Sequence, residues 1–210
     1  MKLRVAKMPK FVTWFYPKRI WAFSRSKKEV FLTFDDGPIP EVTPWVLETL
    51  RKFEAKATFF CIGENIQKHP EVFQQVLSEG HSIGNHTFHH LKGSQTSVED
   101  YVKDVEKFEL ISPVATSLFR PPYGRLTGTQ SERIQQKGYQ VVMWDIVSYD
   151  WDAEVTPEKC LQNVLKHIQP GSIIVFHDSL KAATNLRFIL PKVLEAIQEK
   201  KWKAKAMVLS

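Results

Sequence analysis

Long apolar runs are absent from the start of this chain, and that absence argues against a secreted or membrane-spanning protein. The longest apolar stretch within residues 1–28 covers only positions 11–16 and includes a threonine. A secretory signal or a membrane span needs a longer unbroken run. The sequence therefore predicts a cytoplasmic protein with neither element.

Cysteine is scarce as well, since Cys61 and Cys160 are the only two. They do not form the C-x-x-C spacing typical of zinc sites and redox motifs. A disulfide scaffold and a cysteine-based zinc site are thereby excluded. Both thiols are expected in the core.

Acidic residues are missing from residues 1–28, which hold nine of the 29 Lys and Arg residues. The other 20 basic residues stand against 23 acidic ones, so the rest of the chain is slightly acidic. A nucleic-acid groove needs a basic face, and no nucleic-acid partner is expected. The change in charge divides the chain into a basic aromatic arm, residues 1–28, and one domain, residues 29–210.

Short apolar runs alternate with segments of helical periodicity along the domain. Strands are predicted at residues 30–34, 57–60, 117–119, 141–144, 173–176 and 205–209. Helices are predicted at residues 42–53, 70–79, 97–111, 130–137, 157–168 and 190–200. The alternation indicates about seven βα units around a mostly parallel sheet, an α/β fold. In such folds the chemistry lies at the carboxyl ends of the strands.

The arm carries apolar side chains between its cations, among them Phe11, Trp14, Phe15 and Trp21. Burying such surface is worth ~25 cal/mol per Å². We expect these side chains to plug the bottom of the domain or to cover an open seam in its sheet. The alternative is an interfacial segment that contacts an anionic membrane surface.

Two carboxylates, Asp35 and Asp36, follow the first predicted strand directly. Adjacent carboxylates repel each other unless a cation lies beside them. His86 and His90 are four residues apart, a spacing that on a helical turn places both imidazoles on one face. Two histidines and one carboxylate are the donor set of a catalytic divalent metal.

Further candidates follow later strands. Arg120 lies in a rigid Arg-Pro-Pro-Tyr-Gly turn, where it would orient a carboxylate through a bidentate pair. Asp145 and Asp150 follow the predicted strand at 141–144, and His177 follows the strand at 173–176. A lone histidine at a strand end is more often structural than catalytic, but several candidates at successive strand ends favour a functional site.

These residues fall into five ordered blocks. The blocks are Thr33-Phe34-Asp35-Asp36-Gly37-Pro38, His86-Thr87-Phe88-His89-His90, Arg120-Pro121-Pro122-Tyr123-Gly124, Ser148-Tyr149-Asp150-Trp151 and Val175-Phe176-His177. Their order resembles the NodB-homology polysaccharide deacetylases, the fourth family of carbohydrate esterases, over nearly everything after the arm. The resemblance implies an irregular (β/α)7 barrel. It also implies a metal-dependent hydrolase, usually with zinc, that removes acetyl groups from N-acetylated sugars.

The resemblance assigns the first set of roles to the strand-end carboxylates and the histidine pair. Asp36, His86 and His90 would hold one divalent metal, Zn²⁺ in most members. Asp35 would be the general base, and Arg120 would position it.

It assigns the second set of roles to the later blocks. His177 would protonate the departing amine, and the backbone N–H of Tyr123 would help to hold the oxyanion. Val175, two residues before His177, would face the acetyl methyl group. Trp151 would lie against the sugar.

The fourth block departs from the family pattern, because Val147 stands where the family usually has an aspartate that tunes the catalytic histidine. Asp145 lies two residues earlier, so that a regular strand would place it on the same face. We expect Asp145 to take over the tuning of His177, with Asp150 and Asp178 as the other candidates.

Three other functions stay open at this point. The same groups would serve an O-acetyl esterase or an amidase acting on a non-sugar amide. In a non-catalytic carbohydrate-binding protein, Trp144, Trp151 and Tyr123 would stack on sugar faces. The substrate expected is an acetylated glycan, which leaves peptidoglycan, a chitin-like oligomer, an exopolysaccharide precursor and a lipid-linked sugar as candidates.

Overall fold

The computed structural model describes residues 4–208, in which eight parallel-paired strands form one curved sheet with helices around it. The strands are β1 (Glu29–Asp35), β2 (Thr58–Cys61), β3 (Ser82–Asn85), β4 (Leu118–Phe119), β5 (Gln140–Val141), β6 (Ile146–Val147), β7 (Ile173–His177) and β8 (Lys203–Ala204). Their order is β5-β4-β3-β2-β1-β7-β6, and β8 pairs with β1. The predicted irregular (β/α)7 barrel is confirmed.

Eight helices accompany the sheet within the described range. They are α1 (Lys10–Phe15), α2 (Thr43–Lys52), α3 (Gly63–Lys68), α4 (Pro70–Ser78), α5 (Val98–Ile111), α6 (Gly128–Gln136), α7 (Pro157–Leu165) and α8 (Ala183–Glu199). Capping residues set several starts: the Ser97 hydroxyl accepts from the Asp100 N–H at the start of α5, and Thr127 forms a capping box with Gln130 at the start of α6.

The strands alternate between two environments, as a period of two requires. Phe34 of β1 is fully buried beneath the helices, with its ring 5.0 Å from that of Phe59 and 5.7 Å from that of Phe176. Its neighbours Thr33 and Asp35 point to the other face, where both accept hydrogen bonds from Arg120. One face of β1 thus belongs to the core and the other to the barrel interior.

Three parts of the sheet differ from the prediction. The run at 141–144 does not form one strand, because β5 ends at Val141 and the chain crosses irregularly to β6. Strand β3 was not predicted, since Ser82–Asn85 contains one large apolar side chain, Ile83. The last strand is Lys203–Ala204 and not 205–209, and residue 209 lies outside the described range.

The arm covers the gap between the two edge strands, β5 and β6. Lys7 bridges Ile146 in the antiparallel sense, and Ile20 bridges Val142 in the parallel sense. Trp21 is 9% exposed and packs in the cluster around β5. Through these contacts the arm covers the open seam of the sheet. Part of its aromatic surface, on α1, stays exposed to solvent. From residue 4 to residue 208, no helix has the length and apolar character needed to cross a bilayer.

Candidate active site

A cavity of about 520 Å³ opens at the carboxyl ends of the strands. Its walls bring together most of the residues expected at the site, namely Asp35, Asp36, His86, His90, Tyr123, Trp151, Val175 and His177. Arg120 and Asp150 are fully buried behind this wall. Asp145 is the one expected residue that lies elsewhere.

Asp36, His86 and His90 converge on one point. One ligand atom from each lies within 4.8 Å of the others. The Asp36 Oδ1 atom is 3.2 Å from His90 Nε2 and 3.8 Å from His86 Nε2. Burial raises the pKa of Asp36, but the hydrogen bond to His90 and the nearby imidazoles outweigh burial and hold that pKa below its usual range.

The His86 ring is fixed in the orientation that a metal ligand needs. Its Nδ1 atom lies 2.8 Å from the Arg120 carbonyl oxygen, which places the proton on Nδ1 and leaves the Nε2 lone pair toward Asp36. Burial lowers the pKa of His86 to about 4, so the ring is neutral at neutral pH. A neutral imidazole is the form that coordinates a metal.

The two histidines do not share a helical turn, which corrects the expectation drawn from their spacing. Residues 86–90 form an irregular loop after β3, and Thr87 and His90 adopt left-handed backbone angles with φ of 64° and 57°. Such angles cost about 1–3 kcal/mol each and persist only where the surroundings enforce them. Asn85 contributes to that enforcement by accepting a hydrogen bond from the Thr87 N–H through its Oδ1 at 2.8 Å.

Asp104 of α5 is the other support of this loop, and sequence reasoning did not find it. Its Oδ2 accepts from the N–H groups of Phe88 and His89 at 2.9 Å each, and its Oδ1 contacts His89 Nδ1. The signal was present: Asp104 is a carboxylate within the apolar face that Tyr101, Val105 and Phe108 form at helical spacing.

Asp35 and Arg120 form a buried ion pair. The Arg120 Nη1 atom donates to Asp35 Oδ1 at 2.7 Å and to Thr33 Oγ1 at 2.7 Å. Its Nε and Nη2 atoms donate to the carbonyls of Val142 and Met143. Arg120 therefore contacts Asp35 through one nitrogen and not in the expected bidentate way, because its Nε and Nη2 atoms donate to backbone carbonyls.

His177 pairs with Asp150 at the end of β7. Asp150 Oδ1 is 2.9 Å from His177 Nδ1, and Asp150 Oδ2 accepts from the His177 backbone N–H at 2.8 Å. Burial lowers the pKa of His177, but the Asp150 charge, with smaller contributions from Asp36 and Asp35, raises it to about 9. The His177 ring is thus cationic at neutral pH, with Nε2 directed away from Asp150.

Asp145 does not reach His177, contrary to the expectation from strand periodicity. Its carboxylate accepts from Lys7 Nζ at 2.6 Å and from Ser172 Oγ at 2.8 Å, next to the arm. The regular alternation fails because β6 begins only at Ile146 and has two residues. Val147 itself lines the cavity, so an apolar side chain stands where the family usually has an aspartate.

Asp178 supports the turn that carries Asp36. Its Oδ1 accepts from the Gly37 N–H at 3.0 Å, and its Oδ2 accepts from Thr43 Oγ1 at 2.6 Å. A Cβ on Gly37 would lie 2.0 Å from Asp178 Oδ2, so only glycine fits there. The turn holds Asp36 at a φ of 81°.

Aromatic and apolar side chains complete the cavity. The Trp151 ring lies 4.4 Å from the His177 ring, and the Tyr123 ring lies 4.7 Å from the His90 ring. Val147, Val175 and Trp144 also line the wall. Such a mixture of a few polar groups and an apolar wall is typical of a small-molecule site.

The chain is similar in sequence to known proteins. The family model described as polysaccharide deacetylase matches residues 23–142. The chain is 36% identical, over 184 residues, to a peptidoglycan-N-acetylglucosamine deacetylase of Bacillus cereus; the match covers 85% of this chain and 86% of that protein.

Solved structures share the fold. The crystal structure of a peptidoglycan N-acetylglucosamine deacetylase superposes with a TM-score of 0.85 at 29% identity, over 95% of both chains. A CE4 family pseudoenzyme from Bacillus anthracis superposes with a TM-score of 0.77 at 24% identity, over 88% of this chain and 66% of that one. Because the second protein is a pseudoenzyme, the fold alone does not carry an activity.

Proposed function

Because this chain belongs to the polysaccharide deacetylase family, we propose that it is a metal-dependent hydrolase that removes N-acetyl groups from N-acetylated sugars. In this proposal residues 29–210 are the catalytic domain and residues 1–28 are an arm. The substrate is an acetylated glycan that reaches the cavity at the carboxyl ends of the strands.

The donor set supports a zinc-class ion. Asp36, His86 and His90 would hold it through one carboxylate oxygen and two imidazole nitrogens, a set that leaves positions open for other ligands. When bound, the ion polarises the acetamide carbonyl and makes water a stronger nucleophile.

Asp35 is the general base of the proposal. Its carboxylate accepts the proton that the attacking water loses. Arg120 holds the carboxylate in place through the buried ion pair. The backbone N–H of Tyr123 donates to the oxygen that becomes negative during attack.

His177 is the general acid. Its Nε2 proton passes to the amine as the carbon–nitrogen bond breaks, and Asp150 keeps the ring protonated and oriented through Nδ1. Val175 and Val147 form the wall for the acetyl methyl group, and Trp151 packs against the sugar.

One observation carries the proposal: a base and an acid, each with its own buried partner, flank one ligand set. Asp35 and His177 are register partners on the adjacent strands β1 and β7, and both line the cavity that contains Asp36, His86 and His90. A protein that only binds sugar has no use for this pairing.

The test is acetate release from N-acetylglucosamine oligomers and peptidoglycan, together with elemental analysis of the purified protein. We expect acetate from the N-acetylated substrates and about one metal per chain. His86→Ala should lose both, because the loss of one ligand cripples such a site. The half-buried His167, which does not line the cavity, supplies the matched control His167→Ala, which should keep both.

Two outcomes contradict the proposal. Release of acetate from acetylated xylan but not from the N-acetylated sugars would make the protein an O-acetyl esterase. Metal content that is equal in the parent and in His86→Ala would remove His86 from the ligand set.

A further inference from the structure

Helix α1 presents an aromatic face to solvent. Phe11, Trp14 and Phe15 are three and four residues apart, so that they lie on one side of the helix. Their exposed fractions are 62%, 83% and 74%, and the adjacent Tyr16 is 46% exposed. Amphipathic helices of globular proteins turn their apolar side to the core, and α1 does the reverse.

The position of α1 is set by the rest of the arm. Val12, on its other side, packs against the core cluster that contains Trp21. The Trp21 Nε1–H donates to the Tyr16 carbonyl at 3.2 Å, and the Arg19 guanidinium stacks 4.3 Å from the centre of the Tyr16 ring. The packing of Val12 and the hydrogen bond from Trp21 to Tyr16 thus hold the aromatic face toward solvent.

Lysine side chains flank this face. Lys10 and Lys18 are exposed at its two ends, and within the described range neither forms a salt bridge. No acidic residue occurs in residues 1–28. The surface of α1 with its flanking lysines therefore combines aromatic rings with uncompensated cations.

We propose that this surface docks the protein on an anionic lipid membrane. Trp and Tyr rings favour the lipid headgroup region, and lysines meet anionic headgroups there. A side chain as exposed as Trp14 stands out from the surface, so it forms no groove for a sugar ring or a peptide. A second copy is disfavoured, since a symmetric contact would place Lys10 and Lys18 against the same residues of the other copy.

The experiment measures binding of the full chain to vesicles of phosphatidylcholine alone and of phosphatidylcholine mixed equally with phosphatidylglycerol. We expect binding to the anionic vesicles only, weakened by salt. Lys10→Gln with Lys18→Gln should weaken it about fivefold for each lysine. Trp14→Ser with Phe15→Ser should weaken it about tenfold or more.

The matched control is Leu110→Ser, which removes an apolar side chain that is 85% exposed on α5. It should bind as the parent does, and all variants should keep the thermal midpoint and the activity on soluble oligomers. Equal binding to both vesicle types, or an unchanged affinity in the aromatic double variant, would overturn the proposal. So would a dimer, or retention on an insoluble glycan, that the aromatic double variant abolishes while vesicle binding is absent.

Discussion

Asp145 and Asp150 lie on either side of the short strand β6, and both carboxylates are buried, but their partners differ in kind. Asp150 faces His177 and, against the effect of burial, raises the pKa of that imidazole to about 9. Asp145 faces two basic residues of the arm, Lys7 and Arg25, and the hydroxyl of Ser172. We call the first region the cavity end of the barrel and the second the seam end.

The comparison shows that burial of a carboxylate does not by itself indicate a role. At the cavity end the charge of Asp150 raises the pKa of a neighbouring histidine, as the proposed acid step requires. At the seam end a charge anchors a peripheral segment, which is useful only to the fold. Changes at the cavity end should therefore alter rate and pH dependence, and changes at the seam end should alter stability.

The largest effect is expected for Asp35→Asn at the cavity end. The amide keeps an oxygen for Arg120 but no longer accepts a proton, so the rate of acetate release should fall ~10²–10⁴-fold. The metal content should stay at the parent level. Asp36→Asn is the matched variant and should lose the metal; the opposite pattern in the two variants would exchange their roles.

Trp21→Ala at the seam end should cost about 3–5 kcal/mol of unfolding free energy, because it empties a buried aromatic site. Urea unfolding measures this loss. The matched control Trp14→Ala removes an exposed ring and should stay within about 0.5 kcal/mol of the parent. Equal destabilisation by both variants would mean that α1 is packed more tightly than the exposure of Trp14 indicates.

Asp150→Asn should move the basic limb of the pH–rate profile to lower pH. In the proposed mechanism His177 acts when protonated, so activity should fall as pH rises through its pKa, which is about 9 with the Asp150 charge present. Loss of the carboxylate removes the main influence that raises this pKa, and the limb should shift by about 1–3 pH units. A pH–rate profile identical to that of the parent would mean that His177 is not the general acid.

Asp145→Asn should have the smallest effect on chemistry. We expect a loss of about 1–3 kcal/mol in unfolding free energy, since Lys7 and Ser172 lose a charged acceptor. The pH–rate profile should superpose on that of the parent. A shift in the basic limb would contradict the division between the two ends of the barrel.

Much of the cavity end was predictable because its residues directly follow strands. Asp35 follows the predicted strand at 30–34, and His177 follows the one at 173–176, so the parallel arrangement alone brings them to one edge of the sheet. The fold class followed from the same alternation of apolar runs and helical segments.

The errors arose where local geometry depends on distant partners. A spacing of four between His86 and His90 is typical of a helix, but the loop is held open by Asn85 and by Asp104 of α5. The expected role of Asp145 assumed a regular strand up to Val147. The crossing from β5 to β6 breaks that regularity, and the partners that decide it, Lys7 and Ile20, lie far away in the chain.

The seam that the arm covers constrains the order in which parts of the protein can fold during synthesis. Lys7 is made 138 residues before Asp145, its partner at the seam. At a synthesis rate of ~5–20 residues per second, the arm waits roughly 7–28 s for the edge that it covers. During this interval Trp21 has no barrel to pack against, and its exposed ring can associate with other apolar surfaces. The arm can therefore dock only after the edge that it covers has been made, because the contact joins residues 138 positions apart in the chain.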